Sequence, residues 1–458
     1  MTNSISTELE QIAGKANVLS EPEDLIAYGY DAQHVEHRPD AVVRPGKLDE
    51  TSAVVSFACR ENIPVIPRGA GTGLSGGSVA VAGGIVLDMS RMNRILNIDR
   101  ENLLATVETG TVTADLNAAV QAVGLLYPPD PGSMKVSTIG GNVAENAGGL
   151  LAIKYGVTTD YVKQIEGVTA TGEPFHAGAQ TLKSVSGYDL VSLLCGSEGT
   201  LAVFTKIVVK LLPMPKSRRS MLASFADPES AARAVSGIIS AGIMPATLEF
   251  MDNMTIRTVE DYKKLGLPVD AGALLLLEVD GARSQVEEEA EVCEIVLKRH
   301  GANDVQTASS SAQRDRIWEG RRAALASLAR VRPTTILEDA TVPRSNLADM
   351  VHEVNRIARE YNLTIGTFGH AGDGNLHPTI LTDERDAEEM ERVEKAVDEI
   401  FRVALGLGGT VSGEHGIGFT KARYLPLEMG KGSMQMMREI KKALDPKGIL
   451  NPGKMFAD

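Results

Sequence analysis

Two glycine-rich segments constrain the fold of this chain more than any other feature. The first, residues 67–78, is PRGAGTGLSGGS and lies between the apolar runs at 63–66 and 84–88. This order predicts a strand, a long glycine loop and a second strand. Only glycine lets several successive backbone N–H groups converge on one anion without clashes between Cβ atoms, so such a loop suits a diphosphate. A glycine-rich corner of a barrel is the alternative for this segment taken alone.

The first segment differs from two common nucleotide-binding motifs. It lacks the Gly-Lys-Ser/Thr ending of a P-loop for nucleoside triphosphates. A strand rather than a helix is predicted to follow it, which argues against the NAD fingerprint.

The second glycine-rich segment, residues 128–149, is PPDPGSMKVSTIGGNVAENAGG. It is too irregular to predict regular secondary structure and too rich in small residues for an ordinary surface loop. We interpret it as a segment that closely approaches a bound ligand.

The rest of the chain predicts mixed secondary structure. A strand is expected at 103–108 and a helix at 111–124. An apolar run followed by PMPKSRR indicates a domain boundary near residue 214. Predicted strands and helices then alternate, which favours an α+β domain with an antiparallel sheet. The acidic run at 383–399 mixes charges of both signs at helical spacing and is interpreted as a solvated helix face.

Charge and cysteine content exclude several classes of function. Among 458 residues, 46 Lys and Arg against 60 Asp and Glu give a net charge of −14, with no local basic patch, which disfavours nucleic acid as a ligand. Cys59, Cys195 and Cys293 lie far apart, without the spacing of a zinc ribbon or an iron–sulfur cluster. The N-terminus does not resemble a signal peptide, and no apolar run reaches the roughly 18 residues of a membrane span, so we expect a cytoplasmic protein.

A second group of residues suits metal and proton chemistry. His370 and His377 lie in GHAGDGNLHPTI, and Glu414 and His415 adjoin in SGEHGIGF. Two imidazoles and one carboxylate are a common ligand set for a divalent metal that keeps positions open for substrate. A structural histidine pair is the alternative interpretation.

Four segments together resemble one flavoprotein family. They are PVIPRGAGTGLSGG, PPDPGSMKVSTIGGNVAENAGG, SGYDLVSLLCGSEGTLAVFTKIVVKL and LDPKGILNPGK. In this order they resemble the FAD-linked oxidases and dehydrogenases of the vanillyl-alcohol-oxidase superfamily. Within it the chain is similar to the 2-hydroxyacid group, which includes the flavin subunit of glycolate oxidase and the D-lactate and D-2-hydroxyglutarate dehydrogenases. The resemblance covers nearly the whole chain.

The resemblance implies a fold and a domain order. The fold class is α+β, with a two-subdomain FAD-binding domain of the vanillyl-alcohol-oxidase type at residues 1–214. An α+β substrate or cap domain with an antiparallel sheet is expected at 215–420. The C-terminal segment, 421–458, is expected to return to the FAD-binding domain.

The resemblance also implies FAD held without a covalent bond. Residues 68–78 would bind its diphosphate, 130–149 would pass along the flavin, and the segment near 196–203 would hold the adenosine. Some relatives attach FAD through a histidine in the first glycine loop, which this loop lacks, since His34 and His37 are the nearest histidines. The implied FAD-binding residues, of which the last two would return to the isoalloxazine, are Pro67, Arg68, Gly69, Ala70, Gly71, Thr72, Gly73, Leu74, Gly76, Gly77, Ser78, Pro131, Gly132, Ser133, Thr138, Gly140, Gly141, Asn142, Ala144, Ala147, Gly148, Gly149, Gly199, Val203, Asn451 and Lys454.

Roles around the substrate follow from the same resemblance. It implies His370, His377 and Glu414 as ligands of zinc, iron or manganese. Oxidation of an α-hydroxy acid removes the hydroxyl proton as hydride leaves C2 for flavin N5. An imidazole suits that proton, so His415 is predicted as the general base, with a buried histidine bonded to backbone as the alternative. Arg321, in WEGRR, is implied to clamp the substrate carboxylate with paired hydrogen bonds.

Two further positions bear on the size of the substrate. Leu325 and Leu337 correspond to the threonine and lysine with which the hydroxyglutarate enzymes bind substrate, so a distal carboxylate would lack partners here. Asn375 is expected to add a polar contact. We therefore expect oxidation of D-lactate or glycolate to the 2-oxo acid. A D-2-hydroxyglutarate dehydrogenase and a flavin electron-transfer subunit without turnover of its own are the alternatives.

The destination of the electrons lies outside this chain. Since neither an NAD fingerprint nor cluster cysteines are present, reduced FAD is expected to pass electrons to an external acceptor. An electron-transferring flavoprotein, an iron–sulfur subunit and a quinone are the acceptors that the resemblance implies, and no sequence feature chooses among them. A partner subunit could hold the protein at a membrane. A metal hydrolase that uses the same histidines would leave both glycine segments unexplained.

Overall fold

The computed structural model describes residues 3–33 and 35–456, which divide by their contacts into two units. The first unit takes the described residues of Met1–Gly148, Val157–Met214 and Glu414–Asp458, and the second takes Gly149–Gly156 and Pro215–Gly413. The second unit is therefore inserted into the sequence of the first. The predicted domain boundaries at residues 214 and 420 compare with divisions after Met214 and Gly413, and the grouping of Gly149–Gly156 with the second unit was not predicted.

Helices and strands are mixed along both units. The helices are α1 (Asn3–Ala13), α2 (Pro22–Ile26), α3 (Leu48–Glu61), α4 (Thr113–Gln121), α5 (Ile139–Glu145), α6 (Ala152–Tyr155), α7 (Leu190–Leu194), α8 (Pro228–Ser240), α9 (Asn253–Lys263), α10 (Arg283–Arg299), α11 (Ser311–Leu328), α12 (Leu347–Glu360), α13 (Ala387–Gly406) and α14 (Leu425–Leu444). The strands are β1 (Val18–Leu19), β2 (Ala41–Val43), β3 (Val65–Arg68), β4 (Ile85–Asp88), β5 (Ile95–Asp99), β6 (Leu104–Glu108), β7 (Leu125–Leu126), β8 (Val162–Val168), β9 (Pro174–Gly178), β10 (Val203–Lys210), β11 (Leu212–Pro213), β12 (Ser217–Phe225), β13 (Thr247–Asp252), β14 (Ala273–Gly281), β15 (Ala302–Thr307), β16 (Thr334–Leu337), β17 (Ala340–Thr341), β18 (Thr364–His370) and β19 (Asn375–Thr382).

The first unit contains a small sheet that carries the first glycine segment. Its strand order is β1-β2-β4-β3, and β4 is parallel to both β2 and β3. Helix α3 packs Val54 and Val55 in one apolar cluster with Val43 of β2 and Leu87 of β4. Because β3 and β4 are parallel neighbours, the chain must return along the sheet between them, and the glycine segment makes this return. The predicted order of strand, glycine loop and strand is confirmed.

The first unit also contains a second, larger sheet. Its order is β5-β6-β10-β8-β9, and all neighbouring strands are antiparallel. Strand β6 and helix α4 lie within the strand and helix predicted at 103–108 and 111–124. Strands β7 and β11 form a further two-stranded antiparallel sheet. The two larger sheets of this unit are consistent with the two subdomains that the resemblance implies.

One prediction for this unit is wrong. The sequence predicts no regular structure at 128–149, but Ile139–Glu145 forms helix α5, which Thr138 caps. Two glycines in seven residues weaken the local preference for a helix. A Cβ atom on Gly140 would collide with Thr109, however, so the segment needs a glycine there in order to pack. Tertiary packing, which a local pattern does not reveal, overrides the helix propensity.

The second unit is built on one sheet in which all assigned pairs are antiparallel. The order is β15-β12-β14-β13-β18-β19-β16, and β17 also pairs with β19. This confirms the predicted α+β domain with an antiparallel sheet. Helix α11 packs on the sheet face that carries Ser220 and Phe368. Trp318 Nε1 donates to Ser220 Oγ at 3.2 Å, and the Arg321 guanidinium lies 4.8 Å from the centre of the Phe368 ring.

Several elements of the second unit were not predicted. Helix α9 is polar apart from a short buried face, and β15 is a largely exposed edge strand without alternating apolar residues. Strand β19 contains a proline and overlaps the histidine motif, because it includes His377. The acidic run at 383–399 lies mostly in α13, as predicted, and that helix buries Val393, Val397 and Ile400. No helix in the described part of the chain has the length and hydropathy to cross a membrane.

A buried carboxylate joins two elements of this sheet. Asp252 accepts the N–H of Thr255 at 2.8 Å, which caps α9, and the N–H of Thr367 on β18 at 2.7 Å. Burial raises the pKa of Asp252 to about 6 although these N–H groups favour the carboxylate. Both oxygens thus satisfy backbone donors that have no access to water.

We predict that Asp252→Ala destabilises the protein by about 2–5 kcal/mol, because it leaves two buried N–H groups without an acceptor. Asp227→Ala is the matched control: Asp227 caps α8 in the same way, but half of its side chain is exposed. We expect that control to lose about 1 kcal/mol. Urea unfolding of the full chain, followed by circular dichroism, measures both losses. Equal losses in the two variants would contradict the prediction.

Candidate active site

The first glycine segment begins at a buried arginine. Arg68 ends β3, donates from Nη2 to the carbonyl of Tyr30 at 2.7 Å and from Nη1 to Ser78 at 3.3 Å. Gly71 has φ +70, and a Cβ atom on it would collide with the Arg68 guanidinium. Burial lowers the pKa of Arg68, although Asp31 and other nearby groups favour its cation. The first glycine segment therefore lies around the Arg68 guanidinium, whose positive charge could attract an anionic ligand.

The two glycine segments come together in the first unit. A Cβ atom on Gly69 would collide with Thr138 Oγ1, just as one on Gly140 would collide with Thr109. Thr138 Oγ1 already accepts the N–H of Gly141 at 3.1 Å. Glycine is thus required at these contacts so that the first loop, the start of α5 and the end of β6 can approach one another.

Between these segments lies a cleft with about 750 Å³ of empty space. Part of this space is open to solvent. The cleft is lined by Pro67, Arg68, Gly69, Ala70, Gly71, Thr72, Gly73, Gly77, Ser78, Met89, Thr109, Ser137, Thr138, Gly140, Gly141, Asn142, Ala144, Glu145, Glu198, Gly199, Ala202 and Phe204. Fifteen of the residues that the resemblance implies for FAD are in this lining. Thr109 lines the cleft outside the predicted segments, whereas Glu145 and Glu198 lie within predicted segments but were not named as binding residues.

The remaining residues implied for FAD are not in the lining. Within the first unit these are Leu74, Gly76, Pro131, Gly132, Ser133, Ala147, Gly148, Val203, Asn451 and Lys454. Gly149 belongs to the second unit. Of the two histidines nearest the first loop, His34 lies outside the described residues, and His37 packs its ring 6.3 Å from that of Phe419.

Asn451 and Lys454 donate hydrogen bonds to backbone carbonyls in and next to the first glycine segment. The buried Asn451 donates from Nδ2 to the carbonyls of Gly77 and Glu198 at 2.8 and 2.7 Å. Lys454 donates to the carbonyl of Val79 at 2.6 Å. Burial lowers the pKa of Lys454 to about 8, although the carboxylates of Asp31 and Glu198 favour its charged form. The C-terminal segment therefore supports the loop through backbone carbonyls.

Two neighbouring acids, Glu145 and Glu198, line the cleft. Burial, together with the charge of neighbouring Glu198 and Asp31, raises the pKa of Glu145 well above its ordinary value. Burial also raises the pKa of Glu198, although the N–H groups of Ile417 and Gly418 donate to it at 2.7 and 2.6 Å. A pair of acids that share a buried site favours the protonated form of one of them. We infer that Glu145 is the protonated partner, because it lacks these backbone donors.

In the second unit, one carboxylate contacts two of the predicted site residues, Arg321 and His370. Glu249 of β13, fully buried, accepts Arg321 Nε at 2.5 Å and pairs with His370 Nδ1 at 2.8 Å. Burial alone would raise the pKa of Glu249, but the charges and hydrogen bonds of Arg321 and His370 lower it below its ordinary value. Glu249 was not predicted, and its strand, ATLEFMD, carries no motif that marks it.

The second predicted histidine lies beside the first. The rings of His370 and His377 are 5.2 Å apart and nearly perpendicular, and both residues are buried. Asn375, the first residue of β19, is buried as well, and its Oδ1 has no hydrogen-bond partner among the described residues. Asp339 accepts the hydroxyl of Ser412 and the N–H of Gly413, both at 2.8 Å, in the turn before Glu414. Polar groups are therefore concentrated at this end of β18 and β19.

Glu414 and His415 belong to the first unit. Their side chains are largely buried, with Glu414 Oε1 at 3.8 Å from His415 Nε2. A Cβ atom on Gly148 would lie 3.0 Å from Glu414 Oε2, so the second glycine segment runs close to this acid. Of the two leucines taken to limit substrate size, Leu337 is buried and Leu325 is 37% exposed on α11.

Comparison with known proteins identifies the family. The family model described as "FAD linked oxidases, C-terminal domain" matches residues 214–455. The model described as "FAD binding domain" matches residues 39–178. The chain belongs to the FAD-linked oxidase family. The resemblance inferred from the four motifs is thereby confirmed, and so is an FAD-binding domain.

Curated relatives of this FAD-linked oxidase cover nearly its full length. It is 49% identical over 458 residues to glycolate oxidase subunit GlcD of Bacillus subtilis, across 100% of this chain and 97% of the relative. It is 41% identical to glycolate oxidase subunit GlcD of Escherichia coli, across 95% and 88% of the two chains. It is 38% identical to D-lactate dehydrogenase of Anaerostipes hadrus, across 91% and 90%.

Solved structures support the fold. The substrate-bound structure of p-cresol methylhydroxylase matches with a TM-score of 0.81 at 19% identity, across 100% of this chain and 97% of that one. The 4-ethylphenol oxidase of Gulosibacter chungangensis matches with a TM-score of 0.79 at 17% identity, across 99% and 96%. The predicted vanillyl-alcohol-oxidase type of fold is confirmed.

We predict that Glu145→Gln makes the stability of this oxidase less dependent on pH. The folded state holds the Glu145 proton above the ordinary pKa of 4.5, whereas the unfolded chain releases it there. The stability of the wild type therefore falls as pH rises from about 4.5 toward the raised pKa, by about 1.4 kcal/mol per unit of the shift. Glutamine has no such proton, so this loss should disappear.

Thermal unfolding between about pH 5 and 8 tests the Glu145 prediction. The midpoint of Glu145→Gln should decline less than that of the wild type, whereas Glu101→Gln, at an exposed turn, should follow the wild type. A Glu145→Gln profile parallel to that of the wild type would show that the acid titrates normally.

Proposed function

We propose that this FAD-linked oxidase converts a small D-2-hydroxy acid, D-lactate or glycolate, to the 2-oxo acid. The observation that carries the proposal is the buried Arg321 guanidinium, which one carboxylate joins to His370. A cation for the substrate carboxylate thus lies next to a candidate metal ligand in the second unit. Curated relatives named glycolate oxidase subunit GlcD and D-lactate dehydrogenase support this substrate class.

The cleft of the first unit suits FAD. The residues Arg68–Ser78 would hold its diphosphate through backbone N–H groups and the Arg68 cation, and the FAD would be noncovalent because that loop contains no histidine. Residues 130–149 would pass along the flavin, and the segment near 196–203 would hold the adenosine. Asn451 and Lys454, which support the loop, would return to the isoalloxazine. FAD, once bound, accepts the hydride that leaves the substrate.

Arg321 would bind the substrate carboxylate. Nε is engaged by Glu249, and the two terminal nitrogens make no hydrogen bond to the described residues. Those nitrogens suit the two oxygens of a carboxylate, and the buried setting strengthens the pair. Asn375 would add a polar contact, since its buried Oδ1 can accept a hydrogen bond from a substrate hydroxyl.

His370 and His377 would supply two imidazole ligands to a divalent metal, and Glu414 would supply the carboxylate. The donor set fits zinc, iron or manganese, and a metal there would lower the pKa of the substrate hydroxyl. His415, next to Glu414 in the chain, would accept the hydroxyl proton on its imidazole.

The substrate is small and the electron acceptor is external. Leu337 is buried and offers no charge to a second carboxylate, which favours D-lactate or glycolate over D-2-hydroxyglutarate. The names of the relatives describe a subunit, which supports a partner protein, an electron-transferring flavoprotein or an iron–sulfur subunit, as acceptor. A cytoplasmic location is part of the same proposal.

We predict that Gly73→Val yields folded protein without FAD. A Cβ atom at Gly73 meets only ordinary contacts, 3.7 Å from Asp31 and 3.8 Å from Glu145, so the chain can accept it, but the side chain occupies the cleft. Gly432→Ala, in open space on α14, is the control and should keep FAD. Flavin absorbance per polypeptide measures the loss. In the wild type, acid precipitation should release all of the colour, and colour that stays with the polypeptide would contradict noncovalent binding.

For the general base, we expect His415→Asn to slow flavin reduction by D-lactate about 10²- to 10⁴-fold while FAD stays bound. This is the usual size of the effect when a general acid or base is removed. His352→Asn, at an exposed position on α12, should leave the rate unchanged. Stopped-flow bleaching of the flavin measures both rates, and reduction of His415→Asn at the wild-type rate would remove His415 from the proposal.

Substrate preference tests the assignment of Arg321. D-Lactate or glycolate should have a higher kcat/KM than L-lactate and D-2-hydroxyglutarate. Arg321→Lys should raise KM about 10- to 100-fold although the charge is kept, because lysine cannot form the paired hydrogen bonds. Steady-state kinetics with the four acids provides the comparison. A preference for the dicarboxylate would overturn the assignment of the pocket and leave the family unchanged.

A further inference from the structure

One buried carboxylate in the second unit serves two functional groups at once. Glu249 is fully buried on β13, accepts Arg321 Nε with one oxygen, Oε2, and pairs with His370 Nδ1 through the other, Oε1. Arg321 and His370 come from different elements, α11 and the end of β18. The carboxylate therefore joins two parts of the unit that the sequence keeps far apart.

The hydrogen bond between Glu249 and His370 fixes the tautomer of the His370 ring. A carboxylate only accepts hydrogen bonds, so the proton of the contact must lie on His370 Nδ1. In a neutral imidazole the lone pair is then on Nε2. A histidine in this form presents Nε2 to a metal, and metal-binding histidines generally donate their other N–H to such a partner.

The same carboxylate fixes the guanidinium of Arg321. Nε bonds to Glu249, and the Cζ atom lies 4.8 Å from the centre of the Phe368 ring, so the guanidinium is held by two contacts. Its two terminal nitrogens are the pair that can meet a substrate carboxylate side by side. Arginine that is oriented in advance loses less freedom when the substrate binds.

We propose that Glu249 is a positioning residue that sets the tautomer of His370 and the orientation of Arg321, so that metal binding and carboxylate binding in this oxidase both depend on it. The roles of His370 and Arg321 rest on the proposed function. The prediction peculiar to Glu249 is that one substitution weakens two different binding events.

Glutamine at this position cannot replace glutamate. A carboxylate has two acceptor oxygens, whereas a glutamine amide has one acceptor and one donor group. In Glu249→Gln, Arg321 Nε–H can only donate and therefore requires the amide oxygen. The amide NH₂ then faces His370 Nδ1, where it opposes the Nδ1–H tautomer and favours the Nε2–H tautomer. Glu278→Gln is the matched control, because Glu278 is also a buried glutamate of this sheet, and it bonds to Ser220 rather than to Arg321 or His370.

The first measurement does not depend on enzyme activity. Histidine labelled with ¹⁵N, in the metal-free protein with FAD bound, reports the tautomer of each ring by NMR, and His370→Asn assigns the signal. We expect an Nδ1–H tautomer for His370 in the wild type and in Glu278→Gln, and a shift toward the Nε2–H tautomer in Glu249→Gln. An Nε2–H tautomer in the wild type, or an unchanged signal in Glu249→Gln, would overturn the proposal.

The second measurement uses zinc and D-lactate as probes. Zinc affinity, measured by competition with a chelator, should fall about 10- to 100-fold in Glu249→Gln. The apparent Kd for D-lactate in flavin reduction should rise as well, while the FAD content stays at one per chain. Glu278→Gln should keep both affinities. Unchanged affinities for zinc and D-lactate in Glu249→Gln would contradict the proposal.

The two measurements separate the possible failures. If the wild type neither binds zinc nor is reduced by any 2-hydroxy acid, the proposed function fails, and the tautomer of His370 still decides the role of Glu249. If Glu249→Gln does not fold because Arg321 is left as an uncompensated buried charge, Glu249→Asp keeps the charge but shortens the side chain by one methylene. That variant should lose the His370 contact and the zinc affinity, and full retention of both would overturn the proposal.

Discussion

The first unit depends on contacts in which glycine backbone meets threonine side chains with no room for a methyl group. Gly69 packs on Thr138, and Gly140 packs on Thr109. A glycine loop alone has many conformations, which folding must restrict at an entropic cost. Here its shape is set by the neighbours it touches. The cleft is therefore a product of packing between segments rather than of the loop sequence by itself.

Features with a local signal could be predicted from the sequence. The glycine segments, the strands around the first of them and the antiparallel α+β unit follow from composition and periodicity. Helix α5 could not be predicted, because Gly140 and Gly141 oppose a helix locally and only the contact with Thr109 explains them. Strand β15 was missed because its alternating apolar pattern is absent at an exposed edge.

The site was predicted where residues lie in motifs and missed where burial gives them their role. His370, His377 and Arg321 belong to recognisable motifs, but Glu249 is 72 residues before Arg321 and 121 before His370 in an ordinary strand. Glu145 lies within a predicted segment, yet its unusual protonation depends on Glu198 and Asp31, which the fold brings to it. Electrostatics of this kind are a property of distance in space, which the order of residues does not reveal.

The support of the glycine loop by Asn451 and Lys454 has a consequence for biosynthesis. A ribosome releases the chain from its N-terminus, so the first 214 residues emerge long before the residues that bond to Gly77, Glu198 and Val79. The inserted second unit, whose sheet uses only residues 217–382, can acquire its strands earlier. The nascent first unit therefore lacks these hydrogen bonds, and the apolar contacts of Ile449 and Leu450, until the C-terminal residues emerge. Apolar surface left uncovered in this way favours aggregation during folding.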